Sequence, residues 1–226
     1  MKPEPNLDIQ STILPKLHES IIQKILPNLN AISKDRYSIL NGIGFELKNL
    51  ITKHGVAKIN FICTHNSRRS HLSQILFHTA LEFFQVYHIS TYSGGTEATA
   101  LNDRVVLALE DFGYRIKKVQ PNQFNQSHNF QENPVYEIHL STITKPILAF
   151  SKKYQDDPNP KSDFLAIMTC DHASENCPVV FGASSKINLN YTDPKASDGN
   201  PDEKLVYSNK LIEIGIEMFA LGKLLS

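Results

Sequence analysis

Cysteine, arginine and aspartate are the residue types in this chain whose spacing points to chemistry. The segment Cys63-Thr-His-Asn-Ser-Arg-Arg69-Ser70 has the form Cys-x5-Arg-Ser. Before it, Lys58-Ile-Asn-Phe-Ile-Cys63 reads as a buried strand; after it, a helix is expected from about Arg69 to Phe84. A polar loop at a helix N-terminus turns several backbone N–H groups inward and adds the helix dipole, which together make an anion site. Arg69 contributes a planar fork that can grip two oxygens. The same positive surroundings favour the thiolate of Cys63, the nucleophilic form of the side chain. Ser70 is placed to hydrogen-bond the sulfur and Asn66 to brace the loop. Thr64, His65, Asn66, Ser67, Arg68 and Arg69 are the expected oxyanion binders.

The chain has three cysteines. The other two lie in Thr169-Cys-Asp-His-Ala-Ser-Glu-Asn-Cys-Pro178, directly after the apolar run Phe164–Thr169, which reads as another buried strand. Buried, inert thiols are the plain alternative. No metal site is expected, because Cys-x6-Cys with His172 is not a usual zinc spacing. A redox role has a mechanical consequence. Seven positions along a helix rise by about 10.5 Å, whereas a disulfide needs Cα atoms within roughly 4.4–6.8 Å. A helical segment would therefore have to unwind to join Cys170 to Cys177, and its short polar sequence, with Ser174 and Asn176, would melt at little cost. Asp193-Pro194, by itself, reads as a turn.

The loop Ile62-Cys-Thr-His-Asn-Ser-Arg-Arg-Ser70 resembles the signature loop of the low-molecular-weight tyrosine phosphatases and of the thioredoxin-coupled arsenate reductases. The resemblance continues through Tyr92-Ser-Gly-Gly-Thr-Glu97 and Tyr191-Thr-Asp-Pro194, and covers Lys58 to the C-terminus apart from an insertion. It implies a nucleophilic Cys63, an oxyanion held by the loop, and Asp193 as general acid. Cys170-x6-Cys177-Pro178 resembles the redox segment of the arsenate reductases. This implies a Cys63/Cys170/Cys177 disulfide relay that turns arsenate into arsenite, with thioredoxin or another thiol reductant as electron donor and no bound cofactor. Two positions depart from the family pattern. His65 stands where glycine is usual, so positive φ is expected there. Arg68 stands where a second loop cysteine is common. The cation ligands of some arsenate reductases are matched by Asn66 and Ser93, but Gln74 replaces an acidic residue.

The elements that must position these groups alternate between strands and helices. The expectation is an α/β domain of three layers with a mainly parallel central sheet, like that of the low-molecular-weight tyrosine phosphatases. Residues 56–226 form this catalytic domain. Its further elements are strands at His88–Ser93 and Lys186–Tyr191, and helices at Asn102–Phe112, capped by Gly113, and Glu203–Leu225. An insertion at about 114–162 is rich in Gln, Asn and Pro; strands near Val135–Leu140 and Ile147–Phe150 suggest a hairpin near the active site. Residues 1–55 form a helical N-terminal extension after a frayed start at 1–10. One helix carries Ile13, Leu17, Ile21, Ile22 and Ile25 and ends at Pro27. A second runs from about Ser33 to His54, with Ile39, Ile43, Leu47, Leu50 and Ile51 on one face and Gly42 and Gly44 against it. This amphipathic pair is expected to pack on the main domain, on a second copy in a homodimer, or on a partner.

Bulk properties narrow the field. At 226 residues, with 23 basic and 23 acidic side chains, the chain has no charge excess that would attract nucleic acid or an anionic membrane. Any anion site must be local. The polar start and the lack of a long apolar run suggest a cytoplasmic protein, where thiols stay reduced unless redox chemistry is their task. The alternative activity is phosphotyrosine hydrolysis through a phosphocysteine on Cys63. Against it, Lys195-Ala-Ser-Asp-Gly199 follows Asp193-Pro194 where the phosphatases carry aromatic residues; Phe130 or Tyr136 of the insertion would have to supply the platform. A non-catalytic anion reader, with the N-terminal helices as its partner-binding element, is a third possibility. The joint presence of Cys63, Arg69, Ser70 and Asp193 argues against it.

Overall fold

The computed structural model describes residues 12–120, 129, 131–171, 173 and 179–226. The readings for residues 1–10, Phe130, His172, Ser174, Asn176 and Cys177 lie outside the described residues. The chain opens with α1 (Pro15–Ser20), a π turn (Ile21–Ile25), a 3-10 helix (Leu26–Ala31) and α2 (Lys34–His54). The central elements are β1 (Ala57–Cys63), α3 (Arg69–Phe83), β2 (Ile89–Gly95) and α4 (Asp103–Phe112). The insertion contributes β3 (Arg115–Lys118), β4 (Tyr136–His139) and β5 (Ile147–Ala149); β6 (Phe164–Met168), β7 (Ala183–Asn188), a 3-10 turn (Pro194–Ser197) and α5 (Glu203–Leu225) complete the chain.

Four strands form a parallel sheet in the order β2-β1-β6-β7. Alternation along β1 explains how it is covered. Ile59 and Phe61 point into the large core shared with α2, α3 and α5, where Phe61 meets Phe77 edge-on with centroids 5.9 Å apart. Ile62 points the other way, into a cluster with Phe164, Ala166, Met168, Tyr154, Cys170, Ala173 and Val180. The chain leaves β2 on one side of β1 and returns as β6 on the other, so the switch in strand order lies between β1 and β6. Ligand sites of parallel sheets sit outside the carboxyl ends of strands at such a point.

The N-terminal helices are part of the same core. Leu17, Ile21, Ile25, Leu40, Ile43 and Leu47 are fully buried in it. The first of them is not the continuous helix that the spacing suggests: it passes from α to π to 3-10 geometry, with Pro27 in the first turn of the 3-10 stretch. Proline removes the N–H that an unbroken helix needs there. In α2, Gly42 and Gly44 are accommodated without a break; Ser33 caps its start by accepting from the Arg36 N–H at 3.3 Å. Arg36 ties this helix to α5 and to the end of the sheet. Its Nε and Nη2 donate to Glu217 at 2.7 and 2.6 Å, and its Nη1 donates to the Asn190 carbonyl at 3.1 Å.

Two strand readings are corrected. The insertion is a three-stranded antiparallel sheet, β3-β4-β5, rather than a hairpin. The unforeseen strand, Arg-Ile-Lys-Lys, lacks the apolar alternation that signals one. β7 begins at Ala183, earlier than the expected Lys186, because an edge strand with no fully buried residue carries a weak pattern. Pairing with β6 still runs on through Leu189 N–H to Met168 O (2.8 Å) and Tyr191 N–H to Thr169 O (3.2 Å). No helix among the described residues is long and apolar enough to cross a membrane.

Candidate active site

The Cys63–Ser70 loop leaves the carboxyl end of β1 and opens the 15-residue helix α3. Its carbonyls are pinned outward. The N–H groups of Thr96, Glu97 and Asn102 donate to the carbonyls of Cys63 (3.1 Å), Thr64 (2.8 Å) and Ser67 (3.0 Å). The His65 carbonyl accepts from Thr99 Oγ1 (3.2 Å) and Ser151 Oγ (2.8 Å). In a trans peptide the C=O and N–H point in opposite directions. The N–H groups of Thr64, His65, Asn66 and Arg68 are therefore directed to the concave side of the loop, which the α3 N-terminus also faces.

The left-handed residue of the loop is Asn66, with φ of 44°, and not His65. Asparagine tolerates this conformation because its short polar side chain can bond locally. Here that side chain is fully buried: its amide donates to Ser70 Oγ at 2.9 Å, and its carbonyl accepts from the Lys152 N–H at 3.0 Å. Ser70 Oγ in turn lies 3.1 Å from Cys63 Sγ. A chain of contacts thus runs from the insertion, through Asn66 and Ser70, to the sulfur. Gly95, at the end of β2, is also required: a Cβ there would lie 2.6 Å from Thr64 O and 2.8 Å from Asn66 N.

Arg69 is set between the loop and the segment that follows β7. Its Nη1 donates to the Tyr191 carbonyl at 2.9 Å and its Nη2 to Asp193 Oδ2 at 2.6 Å. Its Nε is buried without a hydrogen-bond partner among the described residues. An unpaired, desolvated guanidinium nitrogen is costly, and an oxyanion beside it would satisfy it. Cys63, His65, Ser67, Arg68, Arg69 and Asp193 line one recess. Arg68 borders it, but its Nε donates to Tyr207 OH (2.7 Å) and its Nη2 to Asp198 Oδ2 (2.9 Å). Tyr136 stands elsewhere: it is buried in β4 with its hydroxyl 3.4 Å from Asp103.

Cys170 comes to the same place from the neighbouring strand. Ile62 pairs with Met168, and Thr169 donates to the Ile62 carbonyl through both N–H (2.8 Å) and Oγ1 (3.1 Å). Adjacent strands are about 4.8 Å apart. In this register Cys63 stands beside Thr169 and Cys170 lies one position further on; both cysteines belong to one buried cluster, and Cys170 Sγ lies 3.5 Å from Thr64 Oγ1. Both thiols are buried. Asp171 and Ala173 are helical, and the Ala173 N–H donates to Cys170 Sγ at 3.4 Å.

Two buried groups behind the loop escaped the sequence reading. Lys152 is 4% exposed, with Nζ donating to the Phe150 carbonyl at 3.2 Å and lying 4.6 Å from the Phe150 ring centroid. Burial pushes its pKa down to about 8. His71 lies in the first turn of α3, with Nδ1 3.3 Å from Ser93 Oγ. Burial, and then the charge of Lys152, hold it well below the usual histidine range, so it is neutral. Asn66 and Ser93, which match cation ligands of some arsenate reductases, are thus engaged by the Lys152 backbone N–H and by His71. Gln74 donates to the Thr91 carbonyl at 3.1 Å. Among the described residues no cluster of His, Cys, Asp and Glu is arranged to hold a metal ion.

No protein-family model matches the chain, and no curated protein matches it. Among solved structures it is similar to a low-molecular-weight phosphotyrosine phosphatase from Vibrio cholerae O395 (14% identity, TM-score 0.46, 73% of this chain and 94% of that one). It is also similar to a low-molecular-weight protein tyrosine phosphatase from Bacillus subtilis (16% identity, TM-score 0.47, 74% and 96%). An arsenate reductase in its phosphate-binding state is a further match (16% identity, TM-score 0.44, 76% of this chain and 100% of that one).

Proposed function

We propose that this chain is an enzyme of the low-molecular-weight tyrosine phosphatase superfamily that reduces arsenate to arsenite through a cysteine relay. The observation that carries the reading is the second thiol. Cys170 follows the strand paired with that of Cys63, and its sulfur lies 3.5 Å from the hydroxyl of the loop residue Thr64. Hydrolysis of a phosphate ester needs one thiolate; a two-electron reduction needs a second thiol within reach of the first.

The oxyanion lies on the loop N–H groups and Arg69. Cys63 thiolate attacks arsenic, and Asp193 protonates the departing hydroxyl, so that water leaves and a Cys63–arsenic bond forms. Cys170 thiolate then attacks Cys63 Sγ. The sulfur–arsenic bond breaks, its electron pair stays on arsenic, and arsenite departs as a Cys63–Cys170 disulfide forms. Cys177 thiolate attacks Cys170 and releases Cys63. A Cys170–Cys177 disulfide remains for thioredoxin, the expected electron donor, to reduce.

The test supplies reduced protein with arsenate, thioredoxin, thioredoxin reductase and NADPH, and follows NADPH consumption beside an assay of para-nitrophenyl phosphate hydrolysis. Arsenate-dependent oxidation should vanish in Cys63→Ser and Cys170→Ser, and Cys177→Ser should stall after one turnover. No oxidation, with ester hydrolysis that survives Cys170→Ser, would make the protein a phosphatase in which Cys170 and Cys177 only guard Cys63 or pack.

A further inference from the structure

Two consecutive arginines of the oxyanion loop hold the two ends of one short segment. Arg69 binds Asp193 at its start and Arg68 binds Asp198 at its end, with the Pro194–Ser197 turn between them. The two contacts differ in what substrate would do to them. Arg69 is the expected anion ligand, so an arriving oxyanion competes with Asp193 for its Nη2. Arg68 is committed elsewhere. Tyr207 OH donates to Asp198 Oδ1 at 2.7 Å while accepting from Arg68 Nε, and Arg104 lies 3.7 Å from the same Asp198 oxygen. Glu203 completes the network: it accepts from Arg104 (2.8 Å) and from the Gly199 N–H (2.7 Å). The partly buried Asp198 is kept ionised. Burial raises its pKa, but the Tyr207 bond and the charges of Arg68 and Arg104 outweigh it and hold it below the ordinary carboxylate range.

Resting on the reading above, we infer that Arg68 is a positioning residue: through Asp198 and Tyr207 it anchors the 193–198 segment, so that the Asp193 carboxyl stays over the loop after the oxyanion has taken Arg69. Asp193 can be a general acid only when it has lost its ion pair, and at that moment the segment would otherwise be tethered at one end less. Misplacing such an acid forfeits part of the roughly 10²–10⁴-fold that it contributes.

The experiment compares Arg68→Ala, Arg68→Lys and Asp198→Asn, each alone and in an Asp193→Asn background. Readouts are arsenate turnover and the Kd of inorganic phosphate, measured by titration calorimetry. Asp198→Asn keeps the volume and the Tyr207 acceptor, which covers the case in which Arg68→Ala does not fold. The expected result is a fall in kcat of about tenfold for Arg68→Ala and Asp198→Asn, with partial rescue in Arg68→Lys. Phosphate Kd should stay within about twofold, and in the Asp193→Asn background the kcat effect should shrink to about twofold or less. Loss of phosphate affinity by about tenfold would make Arg68 an anion ligand and overturn the inference. An equal fall in both backgrounds, or none in either, would overturn it too. A wild-type protein without Cys63-dependent turnover would instead remove the reading on which it rests.

Discussion

Lys152 lends itself to a quantitative test because its amine is buried against one carbonyl and one ring, with no carboxylate in direct contact among the described residues. Burial is the dominant effect on its pKa and the charge of Asp156 opposes it, leaving a value of about 8 against an ordinary 10.5. Between these values the unfolded chain binds the proton more tightly than the folded one, so stability rises with pH across that window. Below pH 8 both states carry the charge and the cost of burying it is present in full; above 10.5 neither state does and the cost is gone. The gap of about 2.5 units corresponds to about 3 kcal/mol, of which about 2 to 3 kcal/mol should be recovered by pH 10. The measurement is urea unfolding of reduced wild type and Lys152→Met at intervals from pH 7 to 10. Other titrating groups, such as Tyr114, whose burial pushes it above its usual range, are common to both proteins and cancel in the difference. Wild type should gain on the variant by about 2 to 3 kcal/mol over the interval. A difference that stays flat would refute the reasoning, because it would mean that the native amine is as well solvated as the unfolded one.

Other perturbations have equally definite outcomes. Gly95→Ala drives a methyl group against Thr64 O and Asn66 N, so phosphate affinity measured by calorimetry should fall by about tenfold or more, the equivalent of about 1.4 kcal/mol. Asn66→Ala removes both side-chain bonds that brace the loop and leaves alanine at φ 44°; it should cost about 2 to 4 kcal/mol in a denaturant melt and most of the turnover. Arg36→Met leaves Glu217, which also accepts from Tyr191 OH at 2.6 Å, without its cation. The loss should be about 2 to 3 kcal/mol, near the low end for a buried pair because Arg36 is partly exposed.

What could be read from the chain, and what could not, divides by range. The β1–loop–α3 unit is local: an apolar run, a polar loop and a helix lie within one stretch, so Cys63, Asn66, Arg69 and Ser70 were legible together. The run Phe164–Thr169 was equally plain, and with it the position of Cys170 at a strand end. The approach of Cys170 to the Cys63 loop depends on which strands pair, so it was implied by the family resemblance and by no local pattern. Lys152 shows the limit most clearly. Ser151-Lys152-Lys153 has the composition of a solvated turn, and nothing local says that one of two neighbouring lysines is enclosed and the other exposed. The reason is tertiary: the Gly95 N–H donates to Lys152 O and the Tyr154 N–H donates to Gly95 O, so this stretch is drawn against β2. Arg68 was expected among the oxyanion binders; the commitment of its side chain to Asp198 and Tyr207 is another contact between distant parts of the chain.

The N-terminal extension and the insertion also meet each other. Leu14 N–H donates to Leu140 O at 3.0 Å and Thr142 N–H donates to Thr12 O at 3.1 Å, with Ile13 bridged to Ser141 between them. Residues 12–14 thus form a seam with the loop that joins β4 to β5, and β5 leads on into Ser151 and Lys152 beside the 63–70 loop. The two additions to the parallel-sheet unit form one architectural pair, and trimming the chain back to Ala57 would strip a face from the core and leave the inserted sheet without its outer neighbour. Natural chains should therefore gain or lose the two together, and a relative without the leading helices should have rebuilt whatever braces its loop asparagine.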